Sequence, residues 1–301
     1  MDIPGGLHGA VLQRELIGAI GRYPVRAALR DGALLRLWDR VLVDTERVAD
    51  PRTRASAALL LHGPDAVLSG PTGAWLHGCQ SIDEANIHVL LPYGHPGRRR
   101  PGLIVHNGST ADDDVVELDG LRSLGAIRVT SDLLCTARPR DALAIADQML
   151  AAQPAEWREE FRGQVARRIS RRADPRGTRR GARLLGLATG RAESPPESWL
   201  MLEVAELGFP PPEANWSLRS PSGAEVYRLD LAWPEQRIAV EYQGYAVHVE
   251  RQAEDLARLE DLRRRGWIVI LVAHDDLKNN RRLAAALREA FERRGFPRQA
   301  C

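Results

Sequence analysis

Lysine is almost missing from this chain: among 42 basic residues, Lys278 is the only one. Cysteine is scarce too. Cys79, Cys135 and Cys301 are far apart and form no Cys-x-x-Cys pair, which argues against a disulfide framework or a structural zinc site. No apolar run approaches the ~18 to 20 residues of a membrane span, and no basic-then-apolar leader follows Met1. A cytoplasmic protein with no membrane partner is expected. Walker-type Gly-rich loops, Gly-x-Ser-x-Gly and His-Glu-x-x-His are absent, so no nucleotide cofactor is expected. A net charge of +2 excludes a strong polycation. Arginine in place of lysine, with abundant alanine, suggests a genome rich in G and C and concerns codons rather than function.

What the chain does hold is a pattern of acids near its C-terminus. Asp230 lies in Tyr227-Arg228-Leu229-Asp230-Leu231-Ala232-Trp233, and Glu241 and Gln243 lie in Ile238-Ala239-Val240-Glu241-Tyr242-Gln243-Gly244. Both runs have strand composition, and Pro234-Glu235-Gln236 between them has turn composition, which predicts a β-hairpin. With the turn centred on Glu235-Gln236, Trp233 faces Ile238 and Asp230 falls opposite Glu241. Opposed like charges destabilise a strand pair. A divalent cation offsets that repulsion, and Mg²⁺ is commonly held by one or two carboxylates plus a substrate phosphate. Asp230 and Glu241 are therefore candidate ligands for Mg²⁺ or Mn²⁺. The same spacing also fits a solvated hairpin whose acids face water or pair with Arg228 or Arg237.

Charge is unevenly distributed. Between Phe161 and Arg191 stand ten arginines, Arg171, Arg172, Arg179 and Arg180 among them, against the single acid Asp174. Intrahelical pairing is poor in such a run, so DNA phosphates are the favoured partners, ahead of a solvated helix face. The length of 301 residues suits two or three domains. Boundaries are placed at 1–45, 46–150, 151–190 (an arginine-rich helical linker) and 191–301, with Asp174-Pro175-Arg176-Gly177 the best break inside the linker.

In the first part, Val11, Leu12, Leu16 and Ile20 recur near helical spacing, Pro24 can open a second helix, and Asp31-Gly32 closes it. Leu35, Leu37, Val41 and Val43 alternate around Trp38-Asp39-Arg40. The outline is a winged helix-turn-helix, in which Arg22, Arg26 and Arg30 would face DNA; taken alone, they read better as the wet side of an amphipathic helix. Further on, strands are predicted at Ile87 to Pro92 and Leu103 to His106, and a helix from about Thr130. In the last part, strands are predicted near 226 to 233, 237 to 242 and 267 to 272. A helix near 249 to 265 should direct Leu256, Leu259 and Leu262 inward, and Asp276 should cap a terminal helix starting near Leu277.

Two resemblances sharpen this reading. Ser194-Pro195-Pro196-Glu197-Ser198, Asp230-Leu231-Ala232-Trp233-Pro234, Glu241-Tyr242-Gln243-Gly244, His248, Asp255 with Arg258, and Gly266-Trp267-Ile268-Val269 follow one another in order. The segment from Ser194 to about Leu277 resembles the Vsr-like (very-short-patch-repair-like) endonucleases of the PD-(D/E)XK superfamily. That resemblance implies catalytic roles for Glu197, Asp230, Glu241, Gln243 and His248, a metal on Asp230 and Glu241, and a phosphate contact for Arg258. The superfamily's lysine is replaced by Gln243, which can orient water or phosphate oxygens but cannot act as a base. Residues 8 to 150 resemble the AbiEi-type antitoxins through Arg54 to Leu60, Gly63 to Ser69, Gly73-Ala74-Trp75-Leu76-His77-Gly78 and the loop Gly97-Arg98-Arg99-Arg100-Pro101. His77 is read as a buried or capping residue, since no acid or cysteine stands at metal spacing beside it. The expected class is α/β (α+β): winged helix, mixed α/β middle, and a restriction-endonuclease-like sheet flanked by helices. The expected function is a Mg²⁺-dependent DNA endonuclease. The alternative is an antitoxin-like regulator whose nuclease-like domain is inactive and grips DNA, a cognate toxin or another protein.

Overall fold

Ala10-Val11-Leu12 and Val41-Leu42-Val43 are apolar at every position rather than at every second one, because the sheet they form is covered on both faces. Its strands are β1 (Ala10–Leu12), β2 (Leu34–Trp38) and β3 (Val41–Asp44), antiparallel in the order β1-β3-β2. Val11, Leu34 and Leu42 pack against Leu16 of α1 (Gln13–Ile20) and Val25 of α2 (Arg22–Arg30). Ala10, Leu12, Val41 and Val43 instead join the core beneath α3 (Pro51–His62), with Ala55 and Ala58. Val11 and Leu12, expected in a helix, are thus strand residues; pairing with Leu42 and Val41 claims them. Gly21, at φ 89°, ends α1 and separates it from α2, a conformation that favours glycine.

The computed structural model describes residues 6–80, 85–95, 97–98, 100–243 and 252–295. The chain is α+β and divides into two units, residues 1–135 with 164–174, and 136–163 with 175–301. One crossing falls at Asp174-Pro175. Others fall at Cys135/Thr136 and Gly163/Gln164, so two of the three crossings lie inside the stretch 151–190.

The first unit continues through β4 (Val67–Leu68), α4 (Gly70–Leu76), β5 (Ile87–Leu91), β6 (Leu103–Asn107), β7 (Val115–Leu118), β8 (Leu121–Leu124) and α5 (Ala126–Thr136). Its five-stranded sheet has the order β6-β5-β4-β8-β7. The helix expected from Thr130 begins one turn earlier. Thr130 looks like a cap but lies inside α5 and donates its hydroxyl to the Ala126 carbonyl at 2.7 Å. His77 donates to the Leu124 carbonyl at 2.9 Å and so ties the end of α4 to β8.

The second unit holds α6 (Pro139–Ala151), the first part of α7 (Arg158–Ser170), α8 (Thr178–Leu187), α9 (Pro195–Glu206), β9 (Glu213–Arg219), β10 (Glu225–Trp233), β11 (Ile238–Gln243), α10 (Gln252–Arg264), β12 (Ile268–Ala273), α11 (His274–Lys278) and α12 (Arg281–Arg293). The sheet order is β12-β11-β10-β9: β9, β10 and β11 form an antiparallel meander, and β12 lies parallel to β11. Parallel neighbours need a crossover, and α10 lies within it. Leu262 of α10 is buried with Leu229, Ala232, Ala239 and Trp267. Trp233, pointing to the opposite face from Ala232, meets Phe291 of α12 edge-on at 5.2 Å.

Two expectations are corrected here. Leu256 is 62% exposed, because at six residues from Leu262 it lies well around the helix from the buried stripe. Asp276 accepts the Ala273 N–H at 2.8 Å and so caps the short α11, while Arg282 of α12 binds the same carboxylate.

A buried acid organises the helices of this unit. Asp147, inside α6, accepts from the Thr189 N–H at 2.6 Å, the Gly190 N–H at 2.8 Å and the Ser198 hydroxyl at 2.7 Å. The chain comes so close here that a Cβ on Gly190 would stand 2.8 Å from the Leu150 Cβ. Asp147→Ala strands those buried donors, and a loss of about 3 to 5 kcal/mol is expected from urea unfolding. A loss below about 1 kcal/mol would remove Asp147 as the anchor of α9.

Candidate functional site

The β10–β11 hairpin runs in the register read from its turn: Trp233 pairs Ile238, Ala232 pairs Ala239, and Leu231 pairs Val240. The ladder ends there, one step short of Asp230 and Glu241, which the same register was expected to bring face to face. The Asp230 carboxylate accepts the Tyr242 N–H at 2.8 Å, a proton that a main-chain carbonyl would otherwise take. Across β9 the strand is irregular as well, since Asn215 has φ 47°, a left-handed value that asparagine tolerates better than most residues.

Glu197 sits in the first turn of α9, behind Ser194 at the cap and prolines at the first two helical positions. Proline costs nothing there, because its missing N–H would have no helical partner. The Glu197 carboxylate folds back to accept from the Glu193 N–H at 2.9 Å, the Ser194 hydroxyl at 2.7 Å and the Asn215 amide at 2.9 Å. Neighbouring Ser198 is the residue bonded to Asp147. The core staple and the site acid are therefore consecutive residues of one helix.

Glu241 is buried, and both its oxygens accept from Arg258 of α10, at 2.7 and 2.8 Å. Arg258 is held further by the Arg228 carbonyl at 2.8 Å and lies 5.5 Å from the centre of the Tyr227 ring. Arg228, which the sequence offered as a partner for these acids, bonds Glu193 and Glu225 instead. Burial pushes the Asp230 carboxyl up to about 6; nearby Glu197 and Glu241 add to the rise, and the Tyr242 N–H and Arg258 oppose it. Burial raises Glu241 also, with Arg258 opposing and Asp255 adding. Four carboxylates thus share a neighbourhood with one guanidinium close to Glu241.

Among the described residues, no three His, Cys, Asp or Glu side chains converge as a metal site. A two-carboxylate arrangement is a different donor set, and Asp230 fits it: one oxygen holds the Tyr242 N–H, and the other accepts no hydrogen bond among the described residues. Gln243 ends β11 on the surface. His248 lies outside the described residues.

The arginines expected at DNA separate into two groups. Arg22 and Arg26 are exposed along α2 beside Tyr23, which is 85% exposed, while Arg30 pairs Asp31 at 3.1 Å. Arg171, Arg179 and Arg180 are also exposed. Arg172, by contrast, binds Asp132 at 2.7 Å, and Arg168 binds Asp114, which also takes Arg128. Acids distant in sequence supply the partners that the arginine-rich run lacks.

Sequence reading passed over Asn215, Asp147 and β9. Asp147 did leave a signal, a lone acid between Ala142 and Leu150, a stretch that is otherwise apolar except for Gln148.

Because the folded Asp230 carboxyl keeps its proton to about pH 6 and an unfolded aspartate releases it near 3.8, the folded state binds more protons in that interval. Unfolding free energy therefore falls as pH rises through the interval and stays lower above it. Asp230→Asn removes the buried charge and should raise stability at neutral pH by about 1 to 3 kcal/mol, with the gain shrinking toward pH 4. Denaturant melts across that range check it; a variant less stable than wild type at neutral pH contradicts the assignment.

No protein-family model matches the chain. The crystal structure of the Rv2827c protein from Mycobacterium tuberculosis matches with a TM-score of 0.44 at 17% identity, covering 71% of this chain and 84% of that one. Two M. tuberculosis proteins, "Uncharacterized protein MT2308" of strain CDC 1551 / Oshkosh and "Uncharacterized protein Rv2248" of strain ATCC 25618 / H37Rv, are each 31% identical over 277 residues, which is 90% of this chain and 97% of theirs. At that identity and coverage, the chain belongs to the family of MT2308 and Rv2248.

Proposed function

We propose that this protein is a DNA-binding, metal-dependent phosphodiesterase whose site is built on Asp230 and Glu241. The observation that carries the reading is the Asp230 carboxyl, pushed up to about 6 in a half-buried position beside two other acids. Strongly perturbed groups gathered at one place mark functional sites more often than structural ones. Arg258 neutralises Glu241, and a bound cation would offset the charge that Asp230 and Glu197 add beside it.

In this reading Asp230 and Glu241 hold Mg²⁺ or Mn²⁺, which when bound lowers the pKa of its water and stabilises charge on phosphate oxygens. Glu197, fixed by Ser194 and Asn215, sets the field around Asp230. Gln243 follows Glu241 by two residues and offers an amide for orienting water or phosphate. Supercoiled plasmid incubated with Mn²⁺ should be nicked. Asp230→Ala should reduce nicking by at least about a hundredfold. Equal nicking by that variant would assign the activity to a contaminant.

A second reading has its own support: Glu241 is wholly engaged by Arg258, and Gln243 stands in place of a lysine. On it, the chain is a regulator that binds DNA through the exposed arginines of α2 and does not cut. The two readings share the DNA contact. Arg22→Ala with Arg26→Ala should lower duplex affinity and reduce the slope of log affinity against log salt by about 2. Anisotropy titrations at several salt concentrations measure this, and an unchanged slope would exclude α2 from the interface.

A further inference from the structure

Arg258 is expected from sequence to meet a phosphate, yet it is bound on three sides by the protein. Its guanidinium makes a two-pronged bond to Glu241, a third bond to the Arg228 carbonyl, and a stack on Tyr227. The Glu241 side chain is only 7% exposed and that of Arg258 is 32% exposed, so solvent weakens the pair little on the Glu241 side. Such a fork uses both carboxylate oxygens in the directions a metal would approach.

We infer that Arg258 and a divalent cation compete for Glu241, and that the displaced guanidinium then takes a phosphate oxygen of the bound DNA. This rests on the reading of Asp230 and Glu241 as metal ligands. A divalent cation held by Glu241 would bring two positive charges beside the guanidinium, so at least one prong of the fork would open. Two contacts remain to guide the freed group: the Arg228 carbonyl and the Tyr227 ring, both independent of Glu241. The planar fork that suits a carboxylate also suits a phosphate, so Arg258 exchanges one anion for another without losing its charge-assisted bonds. Metal and DNA then bind cooperatively: metal releases the guanidinium, and DNA captures it. Without DNA, the pair holds the site closed to metal.

Mn²⁺ binding followed by electron paramagnetic resonance, with and without a short DNA duplex, tests this on the full chain. Wild type should bind Mn²⁺ weakly alone and at least about tenfold more tightly with DNA, the scale of one charge-assisted bond. Arg258→Gln should bind Mn²⁺ alone about tenfold more tightly than wild type and gain less from DNA than wild type does. Arg258→Lys keeps the charge without the fork and should fall between them. Circular dichroism melts verify that each variant is folded; should Arg258→Gln not fold, Arg258→Lys carries the comparison, and Mn²⁺ affinity equal to wild type in that variant overturns the competition. Equal Mn²⁺ affinity in wild type and Arg258→Gln, or weaker affinity in the variant, overturns the competition while leaving the metal site standing. Saturable Mn²⁺ binding in neither protein, with or without DNA, overturns the metal site and the competition together.

Discussion

The pair between Glu241 and Arg258 is the contact on which the C-terminal site depends. It joins the buried end of β11 to α10, and it supplies the guanidinium closest to a group of acids that includes Asp230, Glu197 and Asp255. A buried carboxylate without a partner is expensive, and removing one member of such a pair leaves the other uncompensated. The placement of α10 over the sheet therefore follows from charge as well as from Leu262 and its apolar neighbours.

A second buried carboxylate does for the helices what Arg258 does for the sheet. Asp147 gathers the turn after α8 and the first turn of α9, and so fixes the helix that presents Glu197. Two acids in the core are satisfied in opposite ways, Asp147 by neutral donors and Glu241 by a cation. The neutral bonds are shared out over donors on three residues, whereas the charge-assisted bonds of Glu241 rest on one guanidinium.

Local rules carried far in some segments. The turn at Pro234-Glu235-Gln236 set the hairpin register, because side chains alternate and the turn leaves one pairing that buries Trp233 and Ile238. Apolar runs located β5, β6 and β12 to within a residue or two. They failed where two structures share a pattern: Val11 and Leu12 suit either helix or a doubly covered strand, and Thr130 suits either a cap or a helix interior. Leu256 was misassigned because a leucine every third residue drifts around a helix, and only the members nearest the sheet are covered.

Sequence alone determined that this is a mixed α and β chain and that a hairpin sets Trp233 against Ile238. These follow from periodicity and turn chemistry, which act over a few residues, whereas the acid at the start of α9 was marked by family likeness. Tertiary structure decided which charges meet. Arg258 reaches Glu241 rather than open solvent, Asn215 reaches Glu197, and Asp114 and Asp132 take Arg168 and Arg172. Each of these pairs joins residues from about 17 to about 54 positions apart. Over such separations no local rule selects a partner, and only the packed backbone brings one charge within hydrogen-bonding distance of another.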